Sequence, residues 1–399
     1  MIRILVVILC LVAAAPASYA KPNVSAARIG QHPDMVRFVL EISEAPAYQV
    51  FTLPDPFRVV IDLPELDWRL PAESVPRNAG LVQDLRFGLF APGRSRVVLD
   101  VKQPVQVTRV VVLPPDGNVS NHRVVVDIRA VSRQAFFESE RIPLVSTVPL
   151  PAPQTAGLPK PQAKPGGDER RTIVIDAGHG GIDPGAKGVS GVYEKALVLD
   201  YARELQRQLL ATGRYRVVLT RDSDVFLPLR NRFELAQRAE GDLFISLHAN
   251  THPKGSVRGA SVYTISEKSS DKEAEALAAK ENKADVLAGV NLDAQTDDVN
   301  RILIDLIWRE TMNLSKNFAN LMVTELGKST RLLNNTHRFA GFAVLKSPTV
   351  PSVLVEVGYM SNRAEEAQLR SKGHREKVSG AIRRAIDKYL NWQEQMSRS

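Results

Sequence analysis

The chain has 399 residues, 44% hydrophobic and 24% charged, which is the balance of an ordinary globular protein long enough for two or three domains. Its net charge is +8, but Lys and Arg are dispersed among acids, which argues against nucleic-acid binding and leaves an anionic partner. The single cysteine, Cys10, excludes disulfides, so any metal site must be built from His, Asp and Glu.

Residues 1–20 read as a secretory signal. Arg3 supplies the positive start, Ile4 to Ala15 the apolar stretch, and Ser18-Tyr19-Ala20 a small-x-small cleavage signal before Lys21. The apolar run is too short for a confident membrane span, so no stable membrane insertion is expected. No Arg-Arg pair precedes it, which favours Sec-type export over the twin-arginine route.

Residues 23–130 read as all-β. Val36 to Ile42 alternates, and Tyr48 to Leu53, Arg58 to Leu63, Leu81 to Phe87, Arg96 to Val101, Val105 to Leu113 and Arg123 to Ile128 follow. Pro, Gly, Asp and Asn punctuate them, and this spacing predicts a β-sandwich or barrel. Three phrases recur: Arg58-Val-Val-Ile-Asp-Leu, Arg96-Val-Val-Leu-Asp-Val and Arg123-Val-Val-Val-Asp-Ile. They read as related strands, although alternating Val/Ile strands converge on such patterns in any case. With no clustered His or paired carboxylates, this region is expected to bind rather than catalyse. Residues 131–169 are rich in proline, from Pro143 to Pro165, and predict a semi-extended tether.

From 170 to 393 strand and helix signals alternate, which predicts a mostly parallel sheet flanked by helices. The strands are Thr172 to Ile175, Tyr215 to Thr220, Leu243 to Leu247, Ser261 to Ile265, Ala343 to Leu345 and Ser352 to Val357. Open α/β sheets place ligands at the carboxyl ends of their strands. His179 and His248 each follow a buried strand, Glu194 follows a glycine-rich loop, and Glu356 lies inside an apolar strand. Two His and one Glu form a three-ligand set with an open position, which suits catalytic zinc. A second carboxylate can take a proton from water and pass it to a leaving amine. His179, Glu194 and His248 fit the ligand roles and Glu356 the acid/base role. The same residues also fit structural roles: hydrogen-bonded histidines, Glu194 at a helix dipole, and Glu356 paired with Arg230 or Arg238. Residue types alone leave both readings open.

Four motifs narrow the choice. Asp176-Ala-Gly-His-Gly-Gly, Glu194, Ser246-Leu-His-Ala-Asn and Glu356-Val-Gly-Tyr-Met-Ser-Asn resemble the zinc-dependent N-acetylmuramoyl-L-alanine amidases of the amidase-3 family, in order from Arg171 to Leu390. The repeated Arg-Val-Val strands ahead of them resemble an AMIN domain, a β-sandwich that binds peptidoglycan and directs enzymes to the division site or elsewhere in the envelope. This domain order is similar to that of Gram-negative periplasmic cell-separation amidases. The resemblance implies Zn2+ on His179, Glu194 and His248, with Glu356 catalytic. It implies cleavage of the amide between the lactyl group of N-acetylmuramic acid and L-alanine, in the periplasm and at the septum. A zinc peptidase cutting within the stem peptide, and an inactive wall-binding protein that recruits others, are the alternative readings.

Residues 266–297 form an insertion that the sheet does not need. Asp271 to Gly289 reads as an amphipathic helix with Leu277, Ala284 and Leu287 on one side, and Glu273, Glu275 and Glu281 within reach of a metal. In similar amidases a helix here covers the active site and an activator displaces it. The resemblance thus implies an autoinhibitory segment, in which Glu281 is the candidate for an inhibitory ligand; an ordinary surface helix would carry the same charges. The next helix, Asp298 to Leu326, has a core stripe and a second stripe of Ile304, Trp308 and Met312. Similar amidases bind LytM-domain activators through such a helix, so these three are expected to bind a partner.

Overall fold

The computed structural model describes residues 21–70, 76–117, 119–139, 143–150, 168–290 and 301–396, with only the backbone of 301–307. The signal segment, most of the tether and residues 291–300 lie outside the described residues.

Valine-rich runs broken by turns give β1 (Asn23–Gln31), β2 (Val36–Ile42), β3 (Gln49–Leu53), β4 (Arg58–Pro64), β5 (Asp67–Trp68), β6 (Val82–Ala91), β7 (Arg94–Val101), β8 (Val105–Leu113) and β9 (His122–Ala130). After them come α1 (Arg133–Ser139) and β10 (Leu144–Val145). They form two sheets, β5-β1-β2-β9-β8 and β10-β3-β4-β7-β6. The sheets share a core of inward residues such as Phe38, Leu40, Ile61, Val97, Leu99 and Val126, which makes the expected sandwich. β1 escaped the sequence reading because a bulge between Val24 and Ala26 breaks its alternation.

The tether expected from residue 131 begins later. Phe136 of α1 is buried and packs edge-on against Phe57 at 4.8 Å, and β10 pairs with β3. Burial of one aromatic ring and two ladder positions overrides the local proline signal.

The second region contains β11 (Arg171–Ala177), α2 (Glu194–Leu210), β12 (Tyr215–Leu219), α3 (Leu229–Arg238), β13 (Leu243–Asn250) and β14 (Ala260–Ile265). It continues through α4 (Lys272–Glu281), α5 (Ala284–Leu287), α6 (Arg301–Gly327), β15 (Leu332–Ala340), β16 (Ser352–Tyr359), α7 (Arg363–Arg370) and α8 (Lys372–Met396). The sheet order is β12-β11-β13-β16-β14-β15, and every neighbouring pair is parallel except β14 with β16. One face is covered by α2, α6 and α8 through Leu205, Phe318 and Ile382. The other is covered by α3 and α4 through Leu235, Leu277 and Ala278.

Three local expectations are corrected. Ala343–Leu345 is a single 3-10 turn, and the neighbouring strand is β15, whose polar centre Asn334-Asn335-Thr336 hid it. The insertion helix is broken at Asn282, giving α4 capped by Asp271 and a short α5. Trp308 and Met312 are not an exposed patch; both are half-buried against the cluster that contains Leu277 and Ala278 of α4. Burying the second stripe against the insertion removes apolar area that would otherwise face water. The side chain of Ile304 lies outside the described residues.

Candidate metal centre

Parallel β11, β13 and β16 bring their carboxyl ends to one edge of the sheet, with Asp176 beside Ser246 and His248 beside Glu356. Each strand is buried on both faces, so any polar residue there needs a partner or a use.

Asp176 has partners. Thr220 and Ser246 donate their hydroxyls to it at 2.6 and 2.7 Å, and Arg232 Nη1 donates at 2.9 Å. Burial raises its pKa, but Arg232 and the two hydroxyls more than offset that and lower it. Arg232 Nη2 then donates to the carbonyl of His179 at 2.9 Å, and Arg221 Nη2 to that of Gly178 at 2.8 Å. These buried guanidinium groups hold His179 in the left-handed region, at φ 59°. Glycines make room around the rings: a Cβ on Gly178 would sit 2.4 Å from the His248 ring, and one on Gly185 2.6 Å from that of His179.

The His179 ring is oriented by Asp183, whose Oδ2 lies 2.8 Å from Nδ1. That leaves Nε2 buried and facing two carboxylates, Glu194 Oε2 at 3.1 Å and Glu281 Oε2 at 3.3 Å, with a hydrogen bond to neither. His248 Nδ1 lies 3.2 Å from Glu194 Oε1 and 3.5 Å from Glu281 Oε2. Glu194, at the start of α2, is fixed by the backbone N–H groups of Ala186 and Ala249, which donate at 2.8 and 2.9 Å. Burial opposes ionisation of both His179 and Glu194, but the negative charges of Asp183 and Glu194 outweigh it for His179, and the charge of His179 with the polar contacts of both histidines outweighs it for Glu194. The His179 pKa rises well above its ordinary range and that of Glu194 falls well below.

This donor set fits a zinc ion. Ligand atoms 2.0–2.1 Å from a tetrahedral centre are separated by roughly 3.3 Å; the histidine-to-carboxylate separations here run from 3.1 to 3.5 Å, and His179, His248 and Glu281 each bring one ligand atom within 4.8 Å of the other two. His179 Nε2 faces both carboxylates without a hydrogen bond, whereas His248 Nδ1 is hydrogen-bonded with Glu194 Oε1 at 3.2 Å; imidazole nitrogens and carboxylate oxygens gathered in this way are the chemistry of a cation site.

Glu356 is the second unusual carboxylate. It is buried and neither oxygen has a hydrogen bond. Arg230 and Arg238, the cations that the sequence offered it, bind Glu234 instead at 2.6 and 3.2 Å. Burial, then the negative charges of Glu194 and Glu281, push its pKa well above the ordinary carboxylate range.

α4 delivers Glu281. Its Ala274, Leu277 and Ala278 are buried in the core, and the Asn282 side chain bridges the Gly341 carbonyl at 2.8 Å and the Ala343 N–H at 2.7 Å. Lys280 donates to Asn250 Oδ1 at 3.1 Å and lies 3.2 Å from Glu281 Oε1. Space beside the histidines shrinks to a cavity of about 10 Å³, room for about one water and not for a glycopeptide.

Of the residues singled out in the sequence, His179, His248 and Glu281 converge here, Glu194 contacts both histidines and Glu356 adjoins them, whereas Trp308 and Met312 are half-buried against the cluster that includes α4. Asp176, Asp183, Arg221 and Arg232 were missed. Their signal was an acid closing an apolar strand, which demands a buried cation from elsewhere in the chain.

Comparison with known proteins gives the family. The family model described as N-acetylmuramoyl-L-alanine amidase matches residues 173–388, and the AMIN domain model matches residues 39–128. N-acetylmuramoyl-L-alanine amidase AmiC of Neisseria meningitidis is 34% identical over 93% of this chain and 90% of its own length. AmiC of Escherichia coli is 31% identical over the same shares, 93% and 90%. Among solved structures, the catalytic domain of CwlV, an N-acetylmuramoyl-L-alanine amidase from Paenibacillus polymyxa, is 27% identical. It covers 55% of this chain and 98% of that domain, with a TM-score of 0.40.

Proposed function

Because the chain belongs to the N-acetylmuramoyl-L-alanine amidase family and is a peptidoglycan amidase, we propose that it works with zinc held by His179, Glu194 and His248, and that α4 keeps the site shut. The observation that carries this reading is the convergence of His179 Nε2, His248 Nδ1 and the Glu194 and Glu281 oxygens at 3.1 to 3.5 Å. A bound zinc ion would supply Lewis acidity, polarising the amide carbonyl and acidifying water.

The chain's own residues do the rest. Asp183 and the paired guanidinium groups of Arg221 and Arg232 fix His179, so the site is organised before substrate arrives. Glu356, on the adjoining strand, takes the proton from water and returns it to the departing amine of L-alanine. Its burial without a hydrogen-bond partner supports that role, because it raises proton affinity toward the working pH. Glu281 and Lys280 occupy the place of the substrate, so α4 is a lid that must leave.

We further assign peptidoglycan binding and targeting to the β-sandwich, a periplasmic and septal location to the mature chain, and lid release to a LytM-domain activator. Among the described residues no helix is long and apolar enough to cross a membrane.

The test is digestion of purified peptidoglycan with and without chelator, with products identified by mass spectrometry. The proposal expects chelator-sensitive release of stem peptides with a free L-alanine amine. Products cut inside the stem peptide, or a rate indifferent to chelator and to zinc restoration, would overturn it.

A further inference from the structure

The outward face of the second β-sandwich sheet is covered, which is unusual for an antiparallel sheet with one side on its own core. In β4 and β7 the inward positions Val59, Ile61, Val97 and Leu99 fill the sandwich. The outward Val60 and Val98 are also fully buried, in a separate cluster with Ile182, Phe226 and Ala288. Phe90 of β6 stacks on Phe226, with ring centroids 5.9 Å apart, and Val290 packs against the same cluster. The occupant of this face is thus the second region of the chain itself, and part of that occupant is the turn that ends the lid.

Two arginines of the recurring strand phrases grip that turn. Arg58 Nη1 donates to the carbonyl of Val286 in α5, and Arg96 Nη1 donates to the carbonyls of Ala288 at 3.1 Å and Gly289 at 2.7 Å. These are carbonyls at the C-terminal end of a short helix, which attract cations, and that of Val286 also accepts the backbone N–H of Gly289 at 3.0 Å. Both arginines are buried and held in place. Arg58 also donates to the carbonyls of Pro54 and Pro56 at 2.9 Å. The antiparallel register sets Arg96 opposite Asp62, and its Nε and Nη2 donate to that carboxylate at 2.5 and 2.8 Å. The Arg96 guanidinium also lies 3.5 Å from the centroid of the Phe90 ring.

We propose that the outward face of the β3-β4-β7-β6 sheet is a docking surface for the lid, and that the β-sandwich thereby acts as a brake on the enzyme. The inference rests on reading α4 as a lid. Glu281 and the clasped carbonyls belong to one continuous segment, so α4 cannot swing away as a unit while Arg58 and Arg96 hold residues 286–289. The domain expected to address the enzyme to the wall is also the domain that holds its site closed.

The experiment uses the full chain loaded with zinc. Arg58→Ala and Arg96→Lys remove the donors to the lid, and the lysine keeps a cation beside Asp62. Hydrogen exchange of residues 271–290 and the basal rate of peptidoglycan hydrolysis are measured together. Both are expected to rise about tenfold, the effect of one or two charge-assisted hydrogen bonds. Phe90→Ala, which leaves the Asp62 pair intact, should move both readouts the same way. Neither arginine substitution should alter the rate of a chain lacking 271–289. Unchanged exchange and rate in the arginine variants, where lid deletion does raise the rate, would overturn the brake alone. A rate that lid deletion leaves unchanged would overturn the lid reading and the brake with it.

Discussion

Glu356 and Asp183 illustrate what single residues decide. Glu356 sits buried without a hydrogen bond beside two carboxylates, an arrangement tolerated only where proton affinity is used. Glu356→Gln in a Glu281→Ala background should lower the hydrolysis rate by about 10²- to 10⁴-fold while zinc content, measured by atomic absorption, stays the same. Asp183 orients His179 through Nδ1. Asp183→Asn should therefore weaken zinc affinity by about 10- to 100-fold, read by chelator competition, and Asp183→Glu should recover part of the loss. At this scale the sequence was informative about the residues that end strands. It was silent about Arg221 and Arg232, because which cation reaches the carbonyls or the buried acid of a strand end depends on elements distant in the chain.

Among the elements, the parallel strands and long helices were legible because their apolar runs are continuous. Polar or bulged strands, β1 and β15, were not, since alternation fails where a strand bends or meets solvent on one face. The α6–α8 pair offers a test of element packing. Glu325 of α6 accepts from Lys328 at 2.6 Å and Arg384 at 3.0 Å, and lies 2.7 Å from Lys388 of α8. These hydrogen bonds depress its pKa to about 2. A carboxylate whose folded pKa is depressed contributes fully above its ordinary value, about 4.3, and loses that contribution as pH falls toward 2. Thermal melts from pH 5 to pH 2 should thus show the Tm advantage of the native chain over Glu325→Gln shrinking across that window. An advantage independent of pH would place the stabilisation elsewhere.

For the whole molecule, the β-sandwich and the α/β region were readable from composition and spacing, while most of the tether expected between them lies outside the described residues. The contact between the two folded regions was not. Its only trace was the outward Val60 and Val98, which make β4 and β7 apolar on both faces where a free sandwich strand would alternate. The insertion was legible as a helix, but its break at Asn282, which turns the chain toward the sandwich, depends on tertiary bonds to Gly341 and Ala343.

The central claim is that a complete zinc site is shut by Glu281 and the helix that carries it. It is tested most directly by comparing peptidoglycan hydrolysis by the full chain, by Glu281→Ala and by a chain lacking 271–289, each matched for bound zinc. The account predicts that both altered chains turn over at least about tenfold faster than the full chain, the factor that 1.4 kcal/mol of lost closure represents, and that chelator silences all three. Equal rates at equal zinc content would contradict it.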